Sequence, residues 1–363
     1  MGEFKQKYMF SDICTVINGR AYKQEELLDK GKYTVLRVGN FFSSDKWYYS
    51  DLELEANKYC DNGDLLYAWS ASFGPKIWDG GKVIYHYHIW KLIPSDIVNK
   101  QYLYYWLIFS KDRMLSGIHG SVMGHLTKNG FEKQQIELPP LKIQKSVADT
   151  LSCLDEKIDI NSRINKNLQE TAQSIFKSWF VDFEPFQEDE FEDSELGKIP
   201  KGWKVGTIGE LIADTLGGDW GKETEQGNYT EEVIIFRGAD IPEIATGKKG
   251  KPPTRFILKK NLEKKRLSAG QIIIEISGGS PTQSTGRTAL ITRELVNSYE
   301  KPLICTNFCR ALSFEKDYHS TFLYSLIQYL YNKDVFFLYE NGTTGIKNLD
   351  TNNLFNPSFD RNQ

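Results

Sequence analysis

A chain of 363 residues, 40% hydrophobic and 26% charged, has room for two or three domains of ordinary size and reads as globular, which excludes a disordered protein. No window approaches the ~20 apolar residues of a bilayer span, and the opening MGEFKQKYMF lacks a signal peptide's apolar core, so the expected compartment is the cytoplasm. A net charge of -3 excludes a uniformly basic nucleic-acid binder but not local basic patches.

The five cysteines, Cys14, Cys60, Cys153, Cys305 and Cys309, have no framework spacing and read as reduced thiols. Cys305 and Cys309 lack a second pair or a nearby His cluster, which favours packing over a metal site.

In chain order, Ser11-Asp12-Ile13 and INGRAYK lead into an apolar run, YTVLRVGNF from Tyr33, which predicts a strand ending in Arg37 and Gly39 with the small polar Asn40 just after. YCDNGDLLYAWSASFG from Tyr59 predicts a turn, a β-rich run and a Gly-Ser loop. His86 and His88 alternate in VIYHYHIW and so share one side of a strand; with no third ligand in view, structural roles are the simpler reading. An aromatic-rich helix from Tyr102 ends in a Gly-polar loop, followed by Leu126 and Phe131.

Residues 141–182 then predict one long helix, bounded by Pro139-Pro140 and Pro185. Val147, Leu151, Leu154, Ile158, Asn161, Asn165, Leu168, Ala172, Ile175 and Trp179 alternate in steps of four and three, the seam of a coiled coil. Asn161 and Asn165 within the seam are expected to fix register, and the seam as a whole calls for a partner helix. A long core helix of one large domain is the competing reading. Residues 183–200 follow as an acidic linker, with seven acidic residues and no basic one between Phe183 and Gly197.

The second half repeats the first. Gly209-Glu210-Leu211 and TLGGDWGK, the run EVIIFRGADI with Arg237, and RLSAGQIIIEISGGSPTQSTGR from Arg266 come in the same order as their counterparts. The helix FLYSLIQYLYNKD and the pair Leu349 and Leu354 complete the order. The expected fold is α+β: two similar domains of short strands and helices, 1–140 and 201–363, joined by the long helix. Within the second domain, Lys248 to Arg266 holds nine basic residues against Glu263.

Catalytic signatures are missing: there is no GxxxxGK[ST], HExxH or GxSxG. The NPSF at Asn356 is similar to the Asn-Pro-Pro-Phe signature of adenine methyltransferases, but it lacks the second Pro and no Gly-rich cofactor loop precedes it. What the chain does offer is Gly-containing loops with hydroxyls, amides and cations, groups that suit phosphates and base edges. The candidate DNA-binding residues are Arg37, Asn40, Ser70, Ser72, Lys76, Ser121 and His125 in the first half. In the second half they are Arg237, Lys248, Lys249, Lys251, Ser280, Thr282, Gln283, Arg287, Thr343, Thr344 and Lys347.

The run ELPPLKIQKSVADTLSCLDEKIDINSRINKNLQETAQSIFKSWFVDFEPF, followed by LGKIPKGWKVGTIGEL, resembles the central conserved region and second-domain entry of specificity subunits from Type I restriction-modification enzymes. The resemblance implies two target-recognition domains reading a split double-stranded DNA sequence, with the helix as spacer. At roughly 58 Å the helix would cover about 17 base pairs at ~34 Å per turn. It further implies docking of modification subunits, two in number, which carry S-adenosylmethionine while this chain binds no cofactor and catalyses nothing. Restriction subunits would join them. The family has a second conserved helix after the second domain, whereas this sequence stops at LFNPSFDRNQ. The seam is therefore expected to pair with the same helix of a second copy, or with a helix of the modification subunit. A coiled-coil adaptor that binds only protein is the alternative, and it predicts no salt-dependent DNA affinity.

Overall fold

The structure is a computed structural model that describes residues 6–42, 46–116, 126–280, 282–342 and 345–357. Ser121, His125, Thr343 and Thr344 lie outside the described residues. The chain forms two compact units, Met1–Asp159 and Ile160–Gln363. The division falls inside the long helix, Leu141–Phe180, where the sequence suggested a separate spacer. The reason is that each end of the helix packs into the unit beside it in sequence.

In the first unit an antiparallel sheet has the order Cys14–Asn18, Ile89–Pro94, Leu65–Ser70, Ser72–Ile77. A second sheet has the order Tyr48–Ser50, Tyr33–Leu36, Val83–Tyr85, Tyr59–Cys60, and its middle pair is parallel. The strand Leu65–Ser70 shows why the layers form. Leu65 and Tyr67 enter the core that holds Leu103 and Leu107 of the helix Lys100–Ser116, while Leu66 and Ala68 enter the core shared with Leu36 and Tyr85 of the other sheet. Alternate side chains of one strand thus bury against a helix on one face and a sheet on the other.

The second unit repeats this plan, with one strand fewer in its second sheet. Its antiparallel sheet runs Asp214–Gly217, Cys309–Ser313, Ile272–Glu275, Thr288–Leu290, and its second sheet runs Thr254–Leu258, Tyr229–Phe236, Leu303–Cys305. Again the second sheet holds one parallel pair, here Tyr229–Phe236 with the edge strand Leu303–Cys305. Ile272 and Ile274 meet Leu323 and Ile327 of the helix Asp317–Asn332, and Ile273 faces the other core. Register agrees as well as order: Val35 pairs with Ile84 as Ile235 pairs with Ile304.

Two glycines mark the correspondence at atomic scale. A Cβ on Gly19 would sit 2.3 Å from the carbonyl oxygen of His86, and one on Gly218 would sit 1.9 Å from that of Thr306. The same crossing of the first strand over the second parallel strand thus excludes a side chain in both units. Short helices close each unit: Thr127 caps Lys128–Glu132 and Asp350 caps Thr351–Phe355, each side chain accepting from the backbone N–H three residues on. Leu126, Phe131, Leu349 and Leu354, paired in the sequence, are all buried.

The long helix docks through amides more than through its apolar seam. In the first unit Gln144, 1% exposed, accepts from Asn99 N–H at 2.8 Å and donates to Ile97 and Pro139 carbonyls at 3.1 and 2.9 Å. Tyr105 donates to Asp155 at 2.7 Å. In the second unit Asn165 and Gln169 donate to the carbonyls of Thr246 and Ala245, Gln173 donates to that of Ser325, and Phe176 packs 5.6 Å from Phe322. Asn165 is therefore satisfied by its own chain, where the sequence placed it opposite a partner amide.

Apart from Asn165, which belongs to both, the seam lies one residue, about 100° around the helix, from this docked line. Val147, Leu154, Ile158, Leu168, Ile175 and Trp179 are all exposed, Ile158 at 58% and Leu168 at 61%. Leu151 is half-buried, and Asn161, Asn165 and Ala172 stay exposed. Residues 183–200 are a structured element where the sequence suggested a linker: Phe191–Ser194 pairs with Gly197–Pro200 as a hairpin. Phe180, Phe183 and Phe186 surround Trp203 with ring centroids 6.0, 5.4 and 5.2 Å away.

Candidate nucleic-acid interface

The two units each carry a cleft at the ends of their parallel strand pair. In the first, Arg37 follows Tyr33–Leu36, and His86 and His88 follow Val83–Tyr85. Tyr48 and the turn residue Ala71, whose φ of 64° is left-handed, complete the walls of a cavity of about 350 Å³. The Arg37 guanidinium lies 4.9 Å from the Tyr48 ring centroid, and Lys46 lies 5.1 Å from it. Lys46, then Arg37, hold the Tyr48 phenol below its ordinary pKa.

His86 stacks near Tyr22 and accepts from the backbone N–H of His88 at 3.5 Å. Burial, with smaller contributions from His88 and Arg37, lowers its pKa to about 4, so it is neutral at pH 7. Among the described residues no group of three His, Cys, Asp or Glu side chains forms a metal site, and the pair His86 and His88 stands without a third ligand.

In the second unit the matching cleft, about 560 Å³, is lined by Trp220, Arg237, Glu275, Arg287, Asn307 and Phe308 among others. Arg237 occupies the register position of Arg37, because Ile235 and Val35 are matched by their parallel partners. Its Nε and Nη2 donate to Asp240 at 2.9 Å each, and Nη2 also donates to the Lys251 carbonyl. Arg287 donates to both oxygens of Glu275 at 2.8 and 2.6 Å, and the Glu275 side chain is 4% exposed. That pairing raises the Arg287 pKa further. Two glycines leave room for Glu275: a Cβ at Gly238 or Gly278 would lie 2.1 or 2.6 Å from Oε1. Trp220 carries Arg255 over its ring at 4.3 Å, and Phe308 is 54% exposed.

The remaining candidates are distributed more widely. Asn40 donates to the Lys46 carbonyl beside the first cleft, and Ser70 and Ser72 flank Ala71. Lys76 lies over the Trp78 ring at 5.6 Å, on the strand Ser72–Ile77. Lys248, Lys249 and Lys251 are exposed after the short helix Ile241–Ala245, with Lys249 over Tyr299. Ser280 pairs by backbone with Gln283, and Thr282 donates its N–H to the Ser280 hydroxyl. Lys347 donates to Glu340 at 2.6 Å, far from an unengaged cation. Two cations of the basic run are also engaged inside its unit: Arg255 pairs with Glu223 at 2.9 Å and Lys265 donates to the Gly218 carbonyl.

Tyr48, His86, His88, Trp220, Glu275, Asn307 and Phe308 are cleft residues that the loop-by-loop reading did not select for DNA. The signal that finds them is the repeat itself, since the tips 86–88 and 306–308 follow equivalent parallel strands.

Residues 3–170 match the family model for the Type I restriction modification DNA specificity domain. The chain is similar to the Type I restriction enzyme MjaIX specificity subunit of Methanocaldococcus jannaschii, 34% identical over 159 residues, 42% of this chain and 34% of that protein. It is also similar to the MjaVIII specificity subunit of the same organism, 30% identical over 166 residues, 46% of this chain and 39% of that protein. The matches thus span well under half the length of these curated relatives. Among solved structures, the S subunit of a Type I restriction-modification system from M. genitalium is similar with TM-score 0.49 and 16% identity, over 92% of this chain and 79% of that one. The HsdS subunit of Thermoanaerobacter tengcongensis gives 0.33 and 14%, over 92% and 81%. No described helix is long and apolar enough to cross a membrane.

Proposed function

We propose that this chain, whose residues 3–170 belong to the Type I restriction modification DNA specificity family and which is a relative of Type I restriction-enzyme specificity subunits, reads a split DNA target with its two units. The observation that carries the reading is the duplication: one four-stranded antiparallel order, one parallel pair in the same register and one cleft position occur twice in a single chain. Two readers on one chain bind two half-sites as a single event, and the gap between half-sites then becomes part of the specificity. The long helix, about 60 Å for 40 residues, is the element that would set this gap.

In this reading the chain performs no chemistry of its own and acts in the cytoplasm. S-adenosylmethionine belongs to the modification subunits, two of which dock on this chain, and restriction subunits join the assembly. The exposed seam from Val147 to Trp179 supports a helical protein partner, either the modification subunit or a second copy. Lys248, Lys249 and Lys251 supply phosphate contacts that are indifferent to sequence.

The test is titration of duplex DNA with the full chain at several salt concentrations. The expected result is a straight fall of log K with log salt, its slope near 0.9 per phosphate contact. DNA affinity absent at low salt would leave the protein-only adaptor as the surviving reading.

A further inference from the structure

The two clefts share a position but not a chemistry. In the first, the Arg37 fork is held over Tyr48, and no described carboxylate lies within salt-bridge distance of it. In the second, both arginines are engaged side-on: Arg237 by Asp240 and Arg287 by the buried Glu275. A guanidinium whose paired edge already grips a carboxylate cannot present that edge to a base. What the second cleft offers is the tip after Leu303–Cys305. There Asn307 is exposed and its side chain makes no hydrogen bond among the described residues, and Phe308 presents an open ring.

Base edges discriminate between these offers. A free guanidinium fork matches O6 and N7 of guanine; an amide matches N6 and N7 of adenine, and an apolar ring suits the thymine methyl. We infer that the two clefts are the base-reading sites: Arg37 takes a guanine edge of one half-site, and Asn307 with Phe308 takes an A·T pair of the other. The inference rests on the DNA-reading role proposed above. It also assigns the other cations a different part: Lys248, Lys249 and Lys251 contribute affinity without sequence, and Arg287 and Lys347 hold the second unit together.

The experiment is selection from a random duplex library by the full-length chain with its cognate modification subunits, followed by sequencing. Wild-type chain is expected to enrich a motif in two halves. Arg37→Gln should relax one guanine preference in one half by about tenfold or more and leave the other half unchanged. Asn307→Ala combined with Phe308→Ala should relax an A·T preference in the other half only. Arg37→Lys, which keeps the charge and the fold but loses the fork, should behave as Arg37→Gln does. A wild-type motif untouched by these variants, or degraded in the same half by all of them, overturns the assignment while the DNA-reading role stands. A wild-type chain that enriches no motif overturns both. Thermal melting of each variant separates a lost contact from a lost fold, and a uniform weakening across all sequences by a well-folded Arg37→Lys also counts against the inference.

Discussion

Glu275 sits between two glycines with almost no water of its own, so its charge is tolerable only while Arg287 holds both oxygens. Arg287→Ala should therefore cost about 3–5 kcal/mol of the second unit's stability, measurable by urea unfolding; a loss near zero would show that the carboxylate relaxes to water or to another partner. Arg287 and Lys347 were legible as cations in polar loops, but their partners were not. Strand pairing and the fold of the loops bring Glu275 and Glu340 to them, and neither is visible in a sequence window. Arg37 and Arg237, by contrast, could be found from sequence because each ends a repeated apolar run. Phe308 could not, since an aromatic residue next to a buried strand reads as core.

His86 gives a pH prediction at the same scale. Its folded pKa, about 4, lies below the usual 6.5, so between those values the unfolded chain binds a proton that the folded chain refuses. Its contribution to stability is complete above pH 6.5 and falls as the pH drops toward 4, below which it changes no further. His86→Gln should make the acid side of the first unit's stability profile shallower. Identical profiles for the two proteins would mean that His86 titrates normally in the fold.

At the scale of elements, the strand crossings and the long helix each make a demand. Gly19→Ala and Gly218→Ala push a methyl into backbone carbonyls that cannot rotate away. Each should cost about 1–3 kcal/mol or more in its own unit, and a neutral result at either would contradict the close crossing. On the helix, Phe176→Ala removes a buried ring and should cost about 3–5 kcal/mol. Leu154→Gln and Leu168→Gln alter exposed positions and should stay within about 0.5 kcal/mol in the isolated chain, by the same unfolding measurement. The helix and its heptad were plain in the sequence, yet the face that docks was not. Periodicity counts apolar residues, while Gln144, Asn165, Gln169 and Gln173 dock by hydrogen bonds to backbone carbonyls. The acidic run hid its order for the opposite reason: charge dominated the composition, but three phenylalanines around Trp203 decide the conformation.

For the whole molecule, the duplication was readable although few residues coincide between the halves. Sheet order and register constrain spacing and polarity alternation more tightly than identity, which is why the order of elements survived. The boundary within the helix was not readable, because nothing local distinguishes Asp159 from Ile160. Light scattering on the chain mixed with its cognate modification subunit should show a heavier assembly that Ile158→Gln with Leu168→Gln weakens; a mass unchanged by mixing would remove the docking role of the seam. The same stripe has a meaning for the cell. A row of exposed leucines, isoleucines and a tryptophan along one helix is the kind of surface that chaperones retain and proteases clear. Copies made in excess of their partner should have short lifetimes, so that the abundance of this protein follows the supply of whatever covers the helix.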